Sequence, residues 1–242
     1  MRRQGRAAGP VKRRLVLFDI DGTLLASMGA GRRAILAAME ELVPDHDQIA
    51  DVRFDGKTDP QIVIELLAAC GVADPDDTGR IAAVLERYVA CLEAEVAVRG
   101  HLIRQLPGVA ALLTRLESDR AAVLGLLTGN VQHGARLKLE AAALGFERFV
   151  VGAYGSDHAD RRCLPAIAAE RASSVFGRLP EREELVIIGD TPADVTCGQA
   201  LGARAIGVAT GSYHATELQA AGAWAVFDDL RDADAVLEAI LA

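Results

Sequence analysis

Residues 15–23 read LVLFDIDGT, so that four apolar residues lead directly into two carboxylates. A continuous apolar run without polar alternation predicts a strand that is buried on both faces of a sheet. Gly22 allows a tight turn after this strand, and Thr23 adds a hydroxyl and a backbone amide. Asp19 and Asp21 can then act at one place beyond the strand, one as a nucleophile and the other as a proton carrier. The stretch therefore predicts a buried strand with a catalytic site at its carboxyl end.

Two later segments repeat this arrangement of an apolar run followed by polar side chains. AVLGLL (122–127) precedes Thr128, Gly129 and Asn130, and LVII (185–188) precedes a loop that contains Asp190 and Asp194. In open α/β sheets, ligands bind beyond the carboxyl ends of the strands. We therefore expect Asp19, Thr128 and Asp190 to converge from three separate parts of the chain.

Further apolar runs predict a whole parallel sheet. Strands are expected near residues 15–19, 122–127, 148–152, 185–189, 204–208 and 224–227. The segments between them are typical of helices, such as Val131–Leu144, which ends at Gly145, and Leu164–Phe176, which has Pro165 in its first turn. This alternation predicts an α/β fold with a doubly wound, Rossmann-like parallel sheet.

The interval between the first two strands differs from the rest, because from Ser27 to Leu106 it contains amphipathic helix and no candidate strand. Such an insertion predicts an all-helical cap domain of four to five helices. The expected division is a disordered basic tail (1–14), a core (15–26 and 103–242) and the cap (27–102). Hinges are expected near Leu25–Gly29 and Leu102–Gly108, where Pro107 and Gly108 interrupt the chain.

The composition limits the possible partners and compartments. The net charge of −8 argues against nucleic-acid binding, and no apolar run approaches the roughly 20 residues that span a membrane. The four cysteines are far apart and form no CxxC pair, so they are expected to be free buried thiols in a reducing cytoplasm. The basic tail lacks the apolar segment of a secretory signal. We interpret it as solvated, with an anchor for an anionic partner as the alternative.

The three strand-end motifs, in this order, resemble the haloacid dehalogenase superfamily, specifically its phosphoglycolate phosphatase-like branch. The resemblance covers roughly residues 14 to 240. It implies that Asp19 becomes an aspartyl phosphate and that Asp21 protonates the leaving alcohol and later activates water. A general acid here is expected to have a raised pKa. Thr128 would hold the phosphoryl group.

An anionic nucleophile that attacks a phosphate needs neutralising charge, for which Mg²⁺ is suited because it prefers oxygen ligands. The expected ligands are Asp19, the backbone carbonyl of Asp21, and Asp190. Asp194 is not expected to bind the metal directly. We expect it to orient Asp190, a water or a basic group. Gly129 would let backbone amides approach the anion, with Asn130 as a candidate substrate contact.

The chain departs from the family at the lysine that ordinarily precedes the last catalytic strand. It has three lysines, Lys12, Lys57 and Lys138, so none lies in the expected place. Lys138 lies inside its helix, roughly 10 Å from the end that faces the site at 1.5 Å per residue, which predicts a poor substitute. We expect Arg161, or else Arg162, to supply the cation. The alternative is that both arginines are solvated. His158 is expected to be a loop residue, or one that supports the site from outside, and not a catalytic residue.

The loop before residue 60 is the best candidate for substrate recognition by the cap. Gly56 permits a turn that presents Lys57, and Arg53 is a second candidate contact. The sequence as a whole predicts a magnesium-dependent phosphatase that acts on a small phosphorylated metabolite. A phosphomutase and a non-catalytic protein that binds a phosphorylated ligand remain as alternatives. The sequence leaves the physiological substrate and the oligomeric state open.

Overall fold

The computed structural model describes residues 13–40 and 52–242, and within them the core is a six-stranded parallel sheet. Its strands are β1 (Arg14–Phe18), β4 (Ala122–Leu127), β5 (Val151–Ala153), β6 (Leu185–Gly189), β7 (Arg204–Val208) and β8 (Ala225–Phe227). Two further strands, β2 (Leu25–Ala26) and β3 (Arg104–Gln105), form a separate pair. The strand order β5-β4-β1-β6-β7-β8 confirms the predicted doubly wound α/β fold.

Helices flank the sheet and form the insertion. They are α1 (Ala30–Glu40), α2 (Asp59–Ala69), α3 (Thr78–Arg99), α4 (Val109–Ser118), α5 (Gln132–Ala141), α6 (Leu164–Phe176), α7 (Pro192–Cys197), α8 (Ala215–Ala220) and α9 (Ala233–Leu241). Short 3₁₀ turns lie at Gly100–Leu102, Phe146–Arg148, Arg161–Cys163, Arg182–Glu184 and Gln199–Leu201. The predicted bounds of α6 are confirmed, and Gly177 ends it in the left-handed conformation that glycine adopts readily. The prediction for α5 is three residues too long at its end.

β1 lies at the centre of the sheet, between β4 and β6. Val16 and Phe18 pack into the apolar cluster on one face, whereas Leu15 and Leu17 pack into the cluster on the other. All four side chains are inaccessible to solvent. This burial on both faces explains why the run before Asp19 has no polar alternation.

The insertion after β1 is helical, as predicted. α1 packs along α3, and both α2 and α5 also contact α3. The side chains of Ile35, Leu66, Tyr88 and Leu92 are fully buried between these helices. Within the described residues the insertion contains three α-helices. The prediction of four to five helices also covers residues 41–51, which lie outside the described ranges.

The two ends of the insertion are joined by strands that the sequence did not reveal. Leu25–Ala26 pairs in antiparallel fashion with Arg104–Gln105, so the prediction of no strand before Leu106 was wrong. Strands of two residues are too short to leave a periodic pattern. Each expected hinge segment therefore contains one of the two paired strands, and the boundaries of core and cap stay a prediction.

Two other expectations need correction at their edges. β5 begins at Val151 and not at residue 148, because Phe146–Arg148 forms a 3₁₀ turn. The basic tail was predicted to reach Arg14, but Arg14 is buried as the first residue of β1, and Arg13 donates a hydrogen bond of 2.7 Å to the Val175 carbonyl. Residues 1–12 lie outside the described ranges.

The cysteines are free, as predicted, but their burial differs from the expectation. Cys197 is buried, whereas the other three thiols, of Cys70, Cys91 and Cys163, are half-buried. In the described parts of the chain, no helix combines the length and the apolar character needed to cross a membrane.

Candidate active site

Three strand ends meet in one cavity, as the sequence predicts. Asp19 follows β1, Thr128 follows β4 and Asp190 follows β6, and these strands are neighbours in the sheet. All three side chains are buried. The cavity has a volume of about 630 Å³ and extends from these residues to the inserted segment. Its wall on that side includes Arg32, Ile35, Phe54, Gly56 and Lys57.

A cluster of buried carboxylates occupies the floor of this cavity. Asp19, Asp190 and Asp194 each offer an oxygen within 4.8 Å of the others. Burial raises the pKa of Asp19 to about 6, against the opposing effect of Arg161. Burial, with the charges of Asp194 and Asp19, raises the pKa of Asp190 well above its ordinary value. The cluster thus carries an excess of negative charge that a divalent cation with oxygen ligands would relieve.

Two glycines allow the backbone to pass close to the Asp190 carboxylate. A Cβ atom at either Gly22 or Gly211 would collide with the Asp190 carboxylate. Thr23 holds the same side chain by donating a hydrogen bond of 3.0 Å from its hydroxyl to Oδ1. Two loops therefore close directly over this carboxylate and determine where its oxygens point.

Asp194 is already occupied by donors of the protein. Its Oδ2 accepts hydrogen bonds from the Thr191 amide at 3.0 Å and from the Thr191 hydroxyl at 2.6 Å, and its Oδ1 accepts one from Arg161. Thr191 and Asp194 form a reciprocal capping box at the start of α7. This placement supports the predicted orienting role of Asp194, because both of its oxygens are engaged within the chain.

Arg161, and not Arg162, reaches the carboxylate cluster. Its Nη2 lies 3.1 Å from Asp19 Oδ1 and also bonds Asp194. Burial would lower the pKa of Arg161, but the charges of Asp194 and Asp19 outweigh it and raise the pKa. The Arg162 side chain is 81% exposed and pairs with Asp160, which caps the same turn. The turn thus places two consecutive arginines in opposite environments.

Lys138 contacts the site directly, so the prediction that it lies too far away was wrong. Its Nζ lies 2.7 Å from Asp21 Oδ2 and 2.6 Å from Asn130 Oδ1, and its side chain is buried. The prediction measured only the distance along the helix axis. Helical side chains lean toward the N-terminus, and Lys138 reaches back along α5 to the residue that precedes the helix by two positions.

Asp21 has the opposite pKa shift to the one expected of a general acid. Burial would raise its pKa, but the Lys138 ammonium and hydrogen bonds from Lys138 and Asn130 outweigh this effect and lower it. The carboxylate is therefore ionised in the free protein, a state that suits the activation of water. The protonated state needed for the leaving alcohol must be reached with substrate bound.

Asn130 and Gly129, which were predicted to serve the substrate, also make contacts within the protein. Asn130 Nδ2 donates to Asp21 Oδ2 at 2.9 Å and to the Thr128 hydroxyl at 2.8 Å. A Cβ at Gly129 would collide with the Lys57 carbonyl, and the Gly129 carbonyl accepts a hydrogen bond of 2.7 Å from the Asp59 amide. Gly129 thus lets the inserted loop lie directly on the core.

The inserted loop brings Lys57 to the cavity, where its ammonium pairs with Glu65. Arg53 also borders the cavity, and its side chain is exposed. Lys57 is therefore placed where it was predicted, with a carboxylate partner that the sequence did not reveal. His158 lies outside the cavity lining and accepts a hydrogen bond of 2.9 Å from the Asp160 amide.

Sequence reasoning missed Asp59, whose buried Oδ2 accepts a hydrogen bond of 2.8 Å from the Val131 amide. Burial raises its pKa to about 6, against the opposing charge of Lys138. Thr58 caps α2 by accepting a hydrogen bond of 3.2 Å from the Gln61 amide, so Asp59 is the first residue of this helix. The local sequence pattern does not indicate that the Asp59 side chain turns toward the core.

Comparisons with known proteins agree with this geometry. Residues 164–233 match a family described as HAD-hydrolase-like. A phosphoglycolate phosphatase of Rhodospirillum rubrum is 31% identical over 223 residues, which cover 88% of this chain and 86% of that protein. One of Pseudomonas putida is 27% identical over 221 residues, which cover 90% of this chain and 77% of that protein.

The fold is also similar to that of solved structures. A hydrolase from Pseudomonas syringae superposes with a TM-score of 0.68 at 22% identity, over 94% of this chain and 98% of that one. The sequence likeness to the phosphatases extends over most of the chain and is not confined to single motifs. The chain therefore belongs to the haloacid dehalogenase superfamily, as a phosphatase of its phosphoglycolate phosphatase-like branch.

Proposed function

We propose that the protein is a magnesium-dependent phosphatase that hydrolyses a small phosphomonoester through an aspartyl phosphate on Asp19. The observation that carries this proposal is the contact of Asp19 with Arg161 inside a buried carboxylate cluster at the floor of the cavity. A volume of about 630 Å³ suits a small metabolite and not a macromolecule.

Two carboxylates divide the chemistry between them. An Asp19 oxygen attacks phosphorus, and the bond from phosphorus to the leaving oxygen breaks while Asp21 passes a proton to that oxygen. In the second half-reaction Asp21 takes a proton from water, and the water oxygen attacks phosphorus. The bond from phosphorus to the Asp19 oxygen breaks, which releases inorganic phosphate and regenerates the Asp19 carboxylate. Thr128 and Arg161 lie beside this path, where their donors would hold the phosphoryl oxygens.

The carboxylate cluster fits Mg²⁺ because its oxygens are close together, buried and short of positive charge. Asp19, Asp190 and the backbone carbonyl of Asp21 would hold the ion, while Asp194 keeps Arg161 in place. Bound Mg²⁺ would neutralise the phosphoryl oxygens and keep Asp19 ionised. Arg161 alone cannot balance three carboxylates and a dianionic phosphate.

For the substrate we propose a small phosphorylated carboxylic acid such as 2-phosphoglycolate. The inserted wall of the cavity carries Arg32, Arg53 and Lys57, which would attract a second anionic group. Arg32 is held in place, since it donates a hydrogen bond of 3.0 Å to the Val52 carbonyl and stacks over the Phe54 ring. The named activity of two relatives points to the same compound.

The composition supports our proposals for the location and the partners of the protein. All four cysteines have free thiols, which supports the proposed cytoplasmic location, because thiols stay reduced there. The net charge of −8 supports the proposal that nucleic acids are not partners.

Phosphate release from a panel of compounds tests the activity. The panel contains 2-phosphoglycolate, a neutral alkyl phosphate and sugar phosphates, each with Mg²⁺ or with a chelator. We expect magnesium-dependent release that is fastest for 2-phosphoglycolate. An isomerised sugar phosphate would instead support a phosphomutase, and saturable binding without any turnover would support a binding protein.

Replacing Asp190 tests the metal site. Asp190→Asn should raise the Mg²⁺ concentration needed for half-maximal activity by about 10–100-fold or more, because a ligand contributes at least as much as the groups that orient ligands. The melting temperature without metal should not fall. The raised pKa shows that the folded protein disfavours the ionised form, so that a neutral side chain removes repulsion at pH 7.

Asp234→Asn serves as the matched control, because Asp234 is exposed and pairs with Arg115 away from the cavity. It should leave the magnesium requirement unchanged. An unaltered magnesium requirement in Asp190→Asn would contradict the assignment of this carboxylate to the metal.

Replacing Lys57 tests recognition by the inserted loop. Lys57→Ala should lower kcat/KM for 2-phosphoglycolate about tenfold more than for a neutral alkyl phosphate, which corresponds to about 1.4 kcal/mol. The reason is that Lys57 lies on the inserted loop that forms one wall of the cavity, and not at the end of a core strand. Arg99→Ala, on the exposed end of α3, is the control. An equal loss on both substrates would show that Lys57 does not select the substrate.

A further inference from the structure

Lys138 is the buried cation that the family resemblance did not assign. Its Nζ lies 2.7 Å from Asp21 Oδ2 and 2.6 Å from Asn130 Oδ1. The inserted helices close around it. A Cβ atom at Gly31 of α1 would lie 3.1 Å from Nζ and 3.6 Å from the Tyr88 hydroxyl of α3. The ammonium therefore sits where the insertion and the core meet.

A buried ammonium needs compensating acceptors, since its desolvation is costly. Lys138 obtains them from one carboxylate and one amide, both of which line the cavity. Arg161 instead pairs with Asp19 and Asp194. The two cations thus serve different carboxylates, and Lys138 is not a second copy of the phosphate-facing arginine.

The two oxygens of Asp21 have different surroundings. Oδ2 accepts hydrogen bonds from Lys138 Nζ at 2.7 Å and from Asn130 Nδ2 at 2.9 Å. Oδ1 is buried and has no hydrogen-bond partner among residues 13–40 and 52–242. Two fixed donors on one oxygen restrict rotation of the carboxylate. The Asp21 side chain lines the cavity and is 34% exposed, so the carboxylate that these donors hold stays within reach of a ligand there.

We propose that Lys138 is a positioning residue for the phosphatase reaction, which fixes the orientation of the Asp21 carboxylate toward the leaving-group oxygen by holding Oδ2. This inference rests on the proposed function. When the bond from phosphorus to the leaving oxygen breaks, the electron pair goes to that oxygen, and Asp21, which has taken up a proton with substrate bound, transfers this proton to it. The Asp21 carboxylate that results stays paired with Lys138 and then accepts a proton from water.

Lys138→Met tests the proposal, because methionine has a similar length but neither charge nor donor. On 2-phosphoglycolate, whose alkoxide leaves poorly, kcat/KM should fall about 10–100-fold, a part of the 10²–10⁴-fold that a general acid contributes. On 4-nitrophenyl phosphate, whose leaving group needs no proton, kcat/KM should change less than about threefold. The same variant should show a burst of 4-nitrophenol, because the later attack of water still needs Asp21.

A double-mutant cycle tests whether Lys138 affects the reaction through Asp21. In an Asp21→Asn background, Lys138→Met should cause little further loss on 2-phosphoglycolate, because the residue acts through Asp21. Arg136→Met, two positions earlier on the exposed face of α5, is the control for loss of charge on this helix and should leave both substrates unaffected. Circular-dichroism melting of each variant verifies folding.

If Lys138→Met does not fold, Lys138→Gln, which retains a donor for Asp21, is assayed in its place and should lose less on 2-phosphoglycolate while keeping the same difference between substrates. Equal losses on the two substrates in a folded variant, or additive losses in the cycle, would overturn the positioning role and leave the phosphatase intact. Wild-type protein that hydrolyses none of the phosphomonoesters would instead overturn the proposed function itself, and the inference with it.

Discussion

Asp19→Asn should abolish phosphatase activity, with a loss of kcat on the order of 10⁶, similar to the loss of a nucleophile in a serine protease. The amide cannot attack phosphorus, and no other carboxylate of the cluster can take its place. Asp194 is engaged by Thr191 and Arg161, and Asp190 is held by Thr23.

The folded state of Asp19→Asn should survive. Burial already raises the pKa of Asp19 to about 6, so that a neutral side chain removes repulsion from the neighbouring carboxylates. Arg161 loses one partner but keeps Asp194. We expect a melting temperature equal to or above that of the wild-type protein, which separates loss of chemistry from loss of fold.

Covalent trapping provides the direct measurement. Rapid quenching with phosphate-labelled substrate, followed by peptide mapping, should find label on Asp19 in the wild-type protein and none in Asp19→Asn. Asp21→Asn is the matched comparison, because it keeps the nucleophile and should still form the acyl phosphate slowly. Label on any other residue would overturn the assignment of the nucleophile.

Arg161→Ala should have the second largest effect, because it acts on both activity and stability. Loss of a donor preorganised toward developing charge lowers kcat/KM by about 10²–10³-fold. It also leaves Asp194 buried without its cation, and breaking such a pair costs about 3–5 kcal/mol. Arg161→Lys keeps the charge but not the planar pair of donors, so it should recover only part of both losses.

Arg162→Ala is the control that the chain itself offers. Arg162 is adjacent, mostly exposed and paired with Asp160 outside the carboxylate cluster. Activity at saturating Mg²⁺ should stay within about twofold, and stability should change by less than about 0.5 kcal/mol, as for ordinary surface positions. If Arg162→Ala proved damaging and Arg161→Ala did not, the arginine assignment would be wrong by one residue.

Local patterns were sufficient for the sheet and for the strand ends. The run before Asp19 predicted a strand buried on both faces, and the parallel arrangement then required Thr128 and Asp190 to lie at the same edge. The prediction succeeds because a central parallel strand is buried on both faces. Its consecutive residues are therefore all apolar, and a short segment is enough to identify it. Two-residue strands such as Arg104–Gln105 carry too little pattern to be recognised.

Side-chain direction was the part that local patterns could not provide. Residues Arg161 and Arg162 are equivalent in sequence, and only the turn capped by Asp160 decides which one is buried. Lys138 was excluded by its distance along α5, yet its side chain reaches back to Asp21, 117 positions away in the chain.

The sequence alone therefore determined the family, the parallel sheet and the set of strand-end residues, because these depend on short segments and their order. The tertiary structure decided which cations serve which carboxylates. Arg161 joins Asp19 and Asp194, while Lys138 joins Asp21 where the inserted helices meet the core. Such pairings depend on the burial of charges from distant segments, and the cost of leaving a charge unpaired arises only once the chain has folded around it.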